Sequence, residues 1–337
     1  LNTQHNPNST DDFDMSSTVG QKPTIDSVIE LLRGFQGEVL PAALYYGLSD
    51  LSDEHIHVLS PVWADLDADL RRRIISELTE ASENDFTLAY SKLGYIGLDD
   101  PVDEVRASAI EMLWVDESEV FLLWLLNAAQ MDDSALVRSA ACSALGHFVL
   151  RGEFEEHPPQ QIAQALDVVI NIWMDETEDV QVRRRALEAL SNSSHEMVPD
   201  AIQTAYESDD YWFRVSAVFA MGRSADRYWR KIVLAEMGSG DVEIRYEATR
   251  AAGELGLFEA VKSLGYLALD SDREVSLAAI WSLGEIGGSE TLRILGALAD
   301  DFEHSRDKDM LEAVEDAMGS ATLVGDLLVD DEESDDL

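Results

Sequence analysis

Two stretches decide how this chain folds: Asp241-Val-Glu-Ile-Arg-Tyr-Glu-Ala-Thr-Arg-Ala-Ala-Gly253 and Asp272-Arg-Glu-Val-Ser-Leu-Ala-Ala-Ile-Trp-Ser-Leu-Gly284. Laid over each other at an offset of 31 residues, they match Asp to Asp, branched aliphatic to branched aliphatic, Ala to Ala and Gly to Gly. The same frame recurs at Asp210…Phe213-Arg214…Ala217…Gly222, at Asp179…Val182-Arg183…Ala186 and at Ser134…Val137-Arg138…Ala141…Gly146. It is also present at Val105-Arg106…Ala109, at Asp67…Leu70-Arg71, and in a degenerate last copy, Asp307…Met310…Val314…Gly319. The apolar anchors are thus Leu70, Val105, Val137, Val182, Phe213, Ile244, Val275 and Met310. An internal repeat of this length outranks any single motif in fixing the fold.

Within each copy the anchor and the positions four, five and eight residues later are mostly apolar, as in Val275, Ala279, Ile280 and Leu283. That spacing lays a wide apolar stripe along one face of a helix. The Asp or Ser three residues before most anchors is placed as an N-cap, accepting from the unsatisfied amides of the first turn. Seven residues after the anchor stand small side chains (Ala144, Ala189, Ala220, Ala251, Ser282, Ala317) that let the next helix come close. Gly256 and Gly287 read as C-terminal stops. Second amphipathic segments lie between these helices, including Val120 to Leu126, Ile162 to Trp173, Tyr228 to Met237, Ala260 to Leu269 and Thr291 to Leu298. Each unit is therefore a helical hairpin, and the expected fold is all-α: a right-handed α-solenoid of about eight hairpins with an N-terminal helical cap.

Four segments follow. Residues 1–22 are Asn, Ser, Thr and Asp-rich and are expected to be disordered. Residues 23–52 form the cap, with helices from Ile25 and from Pro41, and residues 53–319 hold the repeat array. Residues 320–337 make an acidic C-terminal tail, read as a solvated disordered end. The wide spacing between Val137 and Val182 holds an insertion around His147 to Gln160, the expected site of a kink in the superhelix.

The repeats resemble the HEAT-like repeats named after phycobilisome lyases, whose units read D-x-x-V-R-x-x-A-x-x-A-L-G-x-x-G. Ala217-Val-Phe-Ala-Met-Gly222 and Ala279-Ile-Trp-Ser-Leu-Gly-Glu-Ile-Gly287 both fit, and the resemblance spans about residues 53–319. It implies a solenoid that serves as a scaffold or adaptor, or alternatively a phycobilin lyase or other HEAT-repeat enzyme or chaperone acting on a protein. A shared fold does not bring a shared chemistry with it. Of the two, the non-enzymatic scaffold is the expectation here.

Composition narrows the partners. The chain has 337 residues, 67 Asp+Glu against 24 Lys+Arg, and a formal net charge of −43. Nucleic-acid binding needs Lys and Arg to neutralise phosphates, so it is excluded, and an anionic membrane is disfavoured for the same reason. A hydrophobic fraction of 46% is that of a folded protein. Cys142 is the sole cysteine, which rules out an internal disulfide and a Cys-rich zinc site. With no long apolar run or leader pattern, a cytoplasmic monomer is expected. The chain opens on Leu1, and Met15 is a candidate start.

Catalytic signatures were sought on the same frame. HEAT-repeat hydroxylases related to deoxyhypusine hydroxylase hold two irons through His-Glu pairs two and three residues after the anchor. Here those positions read Arg72-Arg73, Ala107-Ser108, Ser139-Ala140, Arg184-Arg185, Val215-Ser216, Tyr246-Glu247, Leu277-Ala278 and Glu312-Ala313. Without imidazoles no such iron site is expected. His195-Glu196 lies in an Asn/Ser-rich turn and reads as solvated surface. Asp65, Asp67 and Asp69 lack the Gly and Glu of a calcium loop, and Asp67 is better explained as a cap. No nucleophile elbow, P-loop or dinucleotide fingerprint is present, so no catalytic residue, metal or cofactor is assigned.

Two sets of residues remain. The arginines after the anchors, Arg71, Arg106, Arg138, Arg183, Arg214 and Arg245, suggest a structural repeat-to-repeat ladder of Arg–Asp bonds, broken at Ser276. Positions two, six and ten after the anchor form the exposed stripe of each helix, polar in most copies, as in Arg184/Glu188/Asn192. In three successive copies the polarity fails: Val215/Phe219/Arg223, Tyr246/Arg250/Glu254 and Leu277/Trp281/Glu285. With helices about 8–10 Å apart, Phe219, Tyr246 and Trp281 could form one aromatic ridge beside Arg223 and Arg250. Two readings stand: core buried by tight curvature, or a concave surface that grips a protein or peptide. Aromatic and Arg side chains suit the second, and the acidic flanks, including Glu254 and Glu285, favour a basic partner.

Overall fold

The computed structural model describes residues 22–334 apart from 38 and 155, and among these residues the only regular structure is helical. The segment expected to be disordered, 1–22, lies outside the described residues except for its last one. The chain divides into two compact units, residues 1–115 and 116–337.

The first unit contains α1 Ile25–Gly34, α2 Ala42–Leu48, α3 Asp53–Asp65, α4 Ala68–Asn84, α5 Ser91–Leu98 and α6 Asp103–Met112. Helix α1 packs on α2 and α3, and α4 and α5 both pack on α6. Its core holds Leu32, Leu44, Leu59, Trp63, Ile74, Ile75, Leu78 and Leu93, all nearly or fully buried.

The second unit contains α7 Glu119–Met131, α8 Ala135–Glu153, α9 Pro159–Met174, α10 Val180–Leu190, α11 Val198–Tyr206 and α12 Tyr211–Arg223. After 3-10 turns come α13 Arg230–Glu236, α14 Val242–Glu254 and α15 Val261–Leu267, then α16 Arg273–Ile286, α17 Ser289–Ser305 and α18 Lys308–Ser334. Each odd-numbered helix packs on the even-numbered one after it, and the even helices stack in order from α8 to α18. This is an α-solenoid, with the anchors Val137, Val182, Val275 and Met310 buried in the even layer.

The close approach expected from the small residues has a partner the repeat also supplies. The Gly nine residues after one anchor faces the small residue seven after the next: a Cβ on Gly146 would lie 3.0 Å from the Cα of Ala189, and one on Gly253 2.8 Å from that of Ser282. Gly222 stands in the same way against Ala251, and Gly284 against Ala317. No larger residue fits such a contact without moving backbone.

Helix starts follow from capping. Asp67, Asp179, Asp210, Asp241, Asp272 and Asp307 each accept an amide of their own first turn. Ser134 makes no side-chain cap, and α6 starts on Asp103 with Val102 in the cap position. Gly287 ends α16 at φ 66°, where a side chain would be strained.

The arginines after the anchors do not bond to those capping acids. Arg71 is paired through two nitrogens to Asp100, at 2.7 and 2.9 Å, and both side chains are buried. Arg138 pairs with Glu178 at 2.8 and 3.0 Å, and Arg245 with Asp270 at 2.9 and 3.2 Å. In each case the acid lies in the loop before the next even helix, because the capping carboxylates are already engaged. Arg71, Arg138 and Arg245 also donate to the carbonyls of Leu66, Asp132 and Ser239 behind them, and Arg106 to that of Asp100. Arg183 sits instead between the rings of Trp173 and Phe213, at 5.4 and 5.2 Å, while Arg214 is exposed. Where the ladder lacks its arginine, the Ser276 hydroxyl donates to Ala268.

The insertion and the C-terminal segment both take definite form. The insertion after Val137 lengthens α8 to 19 residues and adds a short loop before α9. The helix α18 runs on to Ser334, through most of the segment read as a disordered tail. Among the described residues no helix is long and apolar enough to cross a membrane.

Candidate interaction surface

The exposed stripe of the even layer is built by a rule that only the stacking reveals. At two places the residue just before an anchor lies beside the residue two after the preceding anchor, and the two even helices frame a groove there. Between α10 and α12 the groove is closed. Arg184 lies over the Trp212 ring at 4.9 Å and donates from Nε to the Ser216 hydroxyl at 2.9 Å. Ser216 donates in turn to Glu188 at 2.5 Å, and Glu188 also accepts from Arg185 at 2.5 Å. Arg184, Glu188 and Ser216 are all buried. Burial lowers the Arg184 pKa, the direction expected for a cation taken from water, with Glu188 opposing it.

Between α14 and α16 the same positions leave a groove of about 230 Å³, lined by Tyr246, Arg250, Glu274, Leu277, Ala278 and Trp281. Glu274 stands where the first groove has Trp212, Tyr246 where it has Arg184, and Ala278 where it has Ser216. Arg250 stacks on the Trp281 ring at 5.1 Å and reaches Glu254 at 3.6 Å. Glu254 also pairs with Arg223 at 3.4 Å, and Arg223 donates to Asn192 at 3.1 Å. Burial raises the carboxyl pKa of Glu254, with both arginines opposing. Gly222 is needed here for a second reason, since a side chain at that position would strike the Glu254 carboxylate.

Between these two grooves, Glu247 occupies the position equivalent to Ser216 and Ala278. Burial and the charge of Glu188 push its carboxyl up to about 7, and Arg250 pulls the other way. Glu188 on α10 thus acts on Glu247 on α14 from across α12.

The residues expected at the surface are brought together in part. Tyr246, Arg250 and Trp281 share the open groove, and Arg223, Arg250 and Glu254 form one charged cluster. Glu285 is exposed, Val215 is buried, and Phe219 is half-buried. Among the described residues no ring contact joins Phe219, Tyr246 and Trp281, so the aromatic ridge is not continuous, and Arg250 fills the gap beside Trp281. Trp281 is 37% exposed, so tight curvature has not made it core. The residues missed were Trp212, Ser216, Glu247 and Glu274; the position before each anchor would have pointed to the first and last.

Elsewhere, Cys142 is fully buried and its thiol is pushed up to about 12 by burial, as befits a core residue. His195 is half-buried, with Nδ1 accepting from the amide of Met197, rather than a freely solvated side chain. Among the described residues no group of three or more His, Cys, Asp or Glu is arranged to hold a metal.

No curated protein matches the sequence. Solved structures similar to it include yeast importin-beta, at 12% identity over 88% of this chain and 46% of that one, with a TM-score of 0.45. An Escherichia coli protein, YibA, is similar at 14% identity over 80% of this chain and 98% of its own, with a TM-score of 0.39. Human deoxyhypusine hydroxylase is similar at 17% identity, covering 73% and 98%, with a TM-score of 0.31. A family profile described as HEAT repeats matches residues 122–222 and 230–315. Those two stretches are more than half of the chain, which therefore belongs to the HEAT-repeat family.

Proposed function

We propose that the protein is an interaction scaffold of the phycobilisome-lyase-like HEAT type, without catalysis of its own, that grips a segment of a partner protein on the exposed stripe of α12, α14 and α16. The observation that supports this reading is the open groove at Tyr246, Arg250 and Trp281, at the place where the repeat elsewhere presents polar side chains or fills the groove itself. Aromatic and Arg side chains at a partly buried concave surface are the usual composition of interface hot spots. The contact set is Phe219, Arg223, Tyr246, Arg250, Glu254, Trp281 and Glu285. The partner is a basic protein or peptide, because Glu243, Glu274 and Glu285 are exposed around the groove and an acidic competitor would be repelled. A cytoplasmic setting accords with the single buried thiol.

The test is affinity capture from lysate followed by mass spectrometry, comparing the native chain with a Tyr246→Ala/Trp281→Ala double variant of unchanged helical circular dichroism. Loss of specific partners in the variant is expected. An unchanged set of captured proteins would remove the surface from consideration. Bilin transfer to a candidate acceptor protein in the same assay would replace the scaffold reading with the lyase one.

A further inference from the structure

Resting on the proposed interaction surface, we infer that the groove between α14 and α16 is a guanidinium site, which takes an arginine side chain of the partner. The repeat itself supplies the comparison. In the equivalent groove between α10 and α12, a guanidinium of the chain's own, Arg184, lies over an indole at 4.9 Å and is held by a hydroxyl and a carboxylate. In the α14/α16 groove the position of Arg184 is taken by Tyr246, whose ring cannot supply a cation, and the space stays open. None of the groups that hold Arg184 is kept in place, but others that suit a guanidinium line this groove: the exposed indole of Trp281, the half-buried ring of Tyr246, and the exposed carboxylate of Glu274 on the groove wall.

Arg250 shows that the indole accepts such a group, for it already stacks on Trp281 at 5.1 Å. Its hold there is shared with Glu254 at 3.6 Å, and its side chain is 37% exposed. Arg250 is thus a resident occupant that an incoming arginine displaces, after which it remains beside Glu254 and Glu247. A planar guanidinium both stacks on an aromatic face and pairs with a carboxylate through two nitrogens, whereas an ammonium is a strongly hydrated point charge. The groove therefore prefers Arg to Lys, and Arg250 sets the affinity by competing for the ring.

Tetra-arginine and tetra-lysine peptides, blocked at both ends, are to be titrated by calorimetry into the full chain at physiological ionic strength. Tetra-arginine should bind several-fold more tightly than tetra-lysine. Trp281→Ala and Glu274→Gln should each weaken tetra-arginine by about two- to fivefold, the scale of one exposed cation–π or charged contact, and should erase the preference. Arg250→Gln should strengthen it several-fold. Equal binding of the two peptides, insensitive to Trp281→Ala, would overturn the inference as mere attraction to an acidic surface. So would weaker binding by Arg250→Gln, which would make Arg250 part of the contact and not a competitor. If the peptides ignore Trp281 and Glu274 while partner capture still depends on Tyr246 and Trp281, the guanidinium class fails and the interaction surface stands.

Discussion

The grooves between α10 and α12 and between α14 and α16 are made from the same repeat positions, yet one is filled and the other is open. In the first, Arg184, Ser216 and Glu188 form a buried relay under Trp212. In the second, Tyr246, Ala278 and Glu274 occupy the corresponding places, and the space between the helices is not closed. The backbone beneath is not identical: Gly253 on α14 lies against Ser282 on α16, whereas Ser191 stands at the corresponding place at the end of α10. The difference in filling follows the side chains at these positions, and side chains that change from copy to copy are where a binding surface can be written. Removing a side chain from the filled groove should damage stability, and removing one from the open groove should not.

The largest effect is expected in the filled groove. Glu188→Ala leaves the Arg184 guanidinium buried with no carboxylate, and removing one partner of a buried pair costs about 3–5 kcal/mol. Denaturant unfolding should register most of that range. Loss below about 1 kcal/mol would mean that Arg184 reaches water and that the two grooves do not differ as described.

Next in size is a change to the backbone contact beneath the open groove. Gly253→Ala places a Cβ 2.8 Å from the Cα of Ser282, and overpacking of this kind costs about 1–3 kcal/mol. Gly240→Ala, with nothing within 4 Å of its Cβ, should be close to neutral in the same unfolding assay. Equal effects at the two sites would show that the even helices can slide apart cheaply, and that the open groove is no fixed feature.

Glu247, between the grooves, gives a pH signature. Its carboxyl stands at about 7 in the folded chain, above the ordinary 4.5. The folded state thus keeps a proton that the unfolded state has lost across this window, and stability falls as pH rises from about 4.5 to about 7, then levels off. Glu247→Gln cannot ionise, so it should flatten this part of the profile and gain up to about 3 kcal/mol over the native chain at pH 8. Parallel profiles for the two chains between pH 5 and 8 would place the titration elsewhere.

The sequence makes these two grooves legible to different depths. The anchors, the capping aspartates and the small residues are set by contacts within a helix or between identical positions of neighbours, so periodicity alone exposes them. Three arginines of the ladder are legible in this way, but their partners Asp100, Glu178 and Asp270 are not, because they belong to the next copy, four or five residues before its anchor, where no helical periodicity marks them. The pairing of Trp212 with Arg184, and of Glu274 with Tyr246, joins different positions of successive copies. Such a pairing depends on the stagger between stacked helices, which no single copy encodes. The expected aromatic ridge failed for a reason the register contains: Phe219 and Trp281 stand six residues after their anchors but Tyr246 only two after its own, and the residue six after that anchor, Arg250, is the one that stacks on Trp281.

The smallest effect on stability should accompany the greatest effect on function. Trp281 is 37% exposed and its side chain anchors no buried pair, so Trp281→Ala forfeits part of its apolar contact and the stacking of Arg250. An exposed cation–π contact contributes about 0.5–1 kcal/mol, and Arg250 keeps Glu254 as a partner after the ring is gone. A loss of about 1 kcal/mol or less is expected in denaturant unfolding, against several for Glu188→Ala. Capture of partner protein should fall in the opposite order, strongly for Trp281→Ala and weakly for those Glu188→Ala molecules that remain folded. If Trp281→Ala instead destabilises the chain as much as Glu188→Ala and leaves capture intact, the indole is part of the packing between α14 and α16. The open groove would then be a filled one with a larger side chain, and the partner would have to be sought on another face.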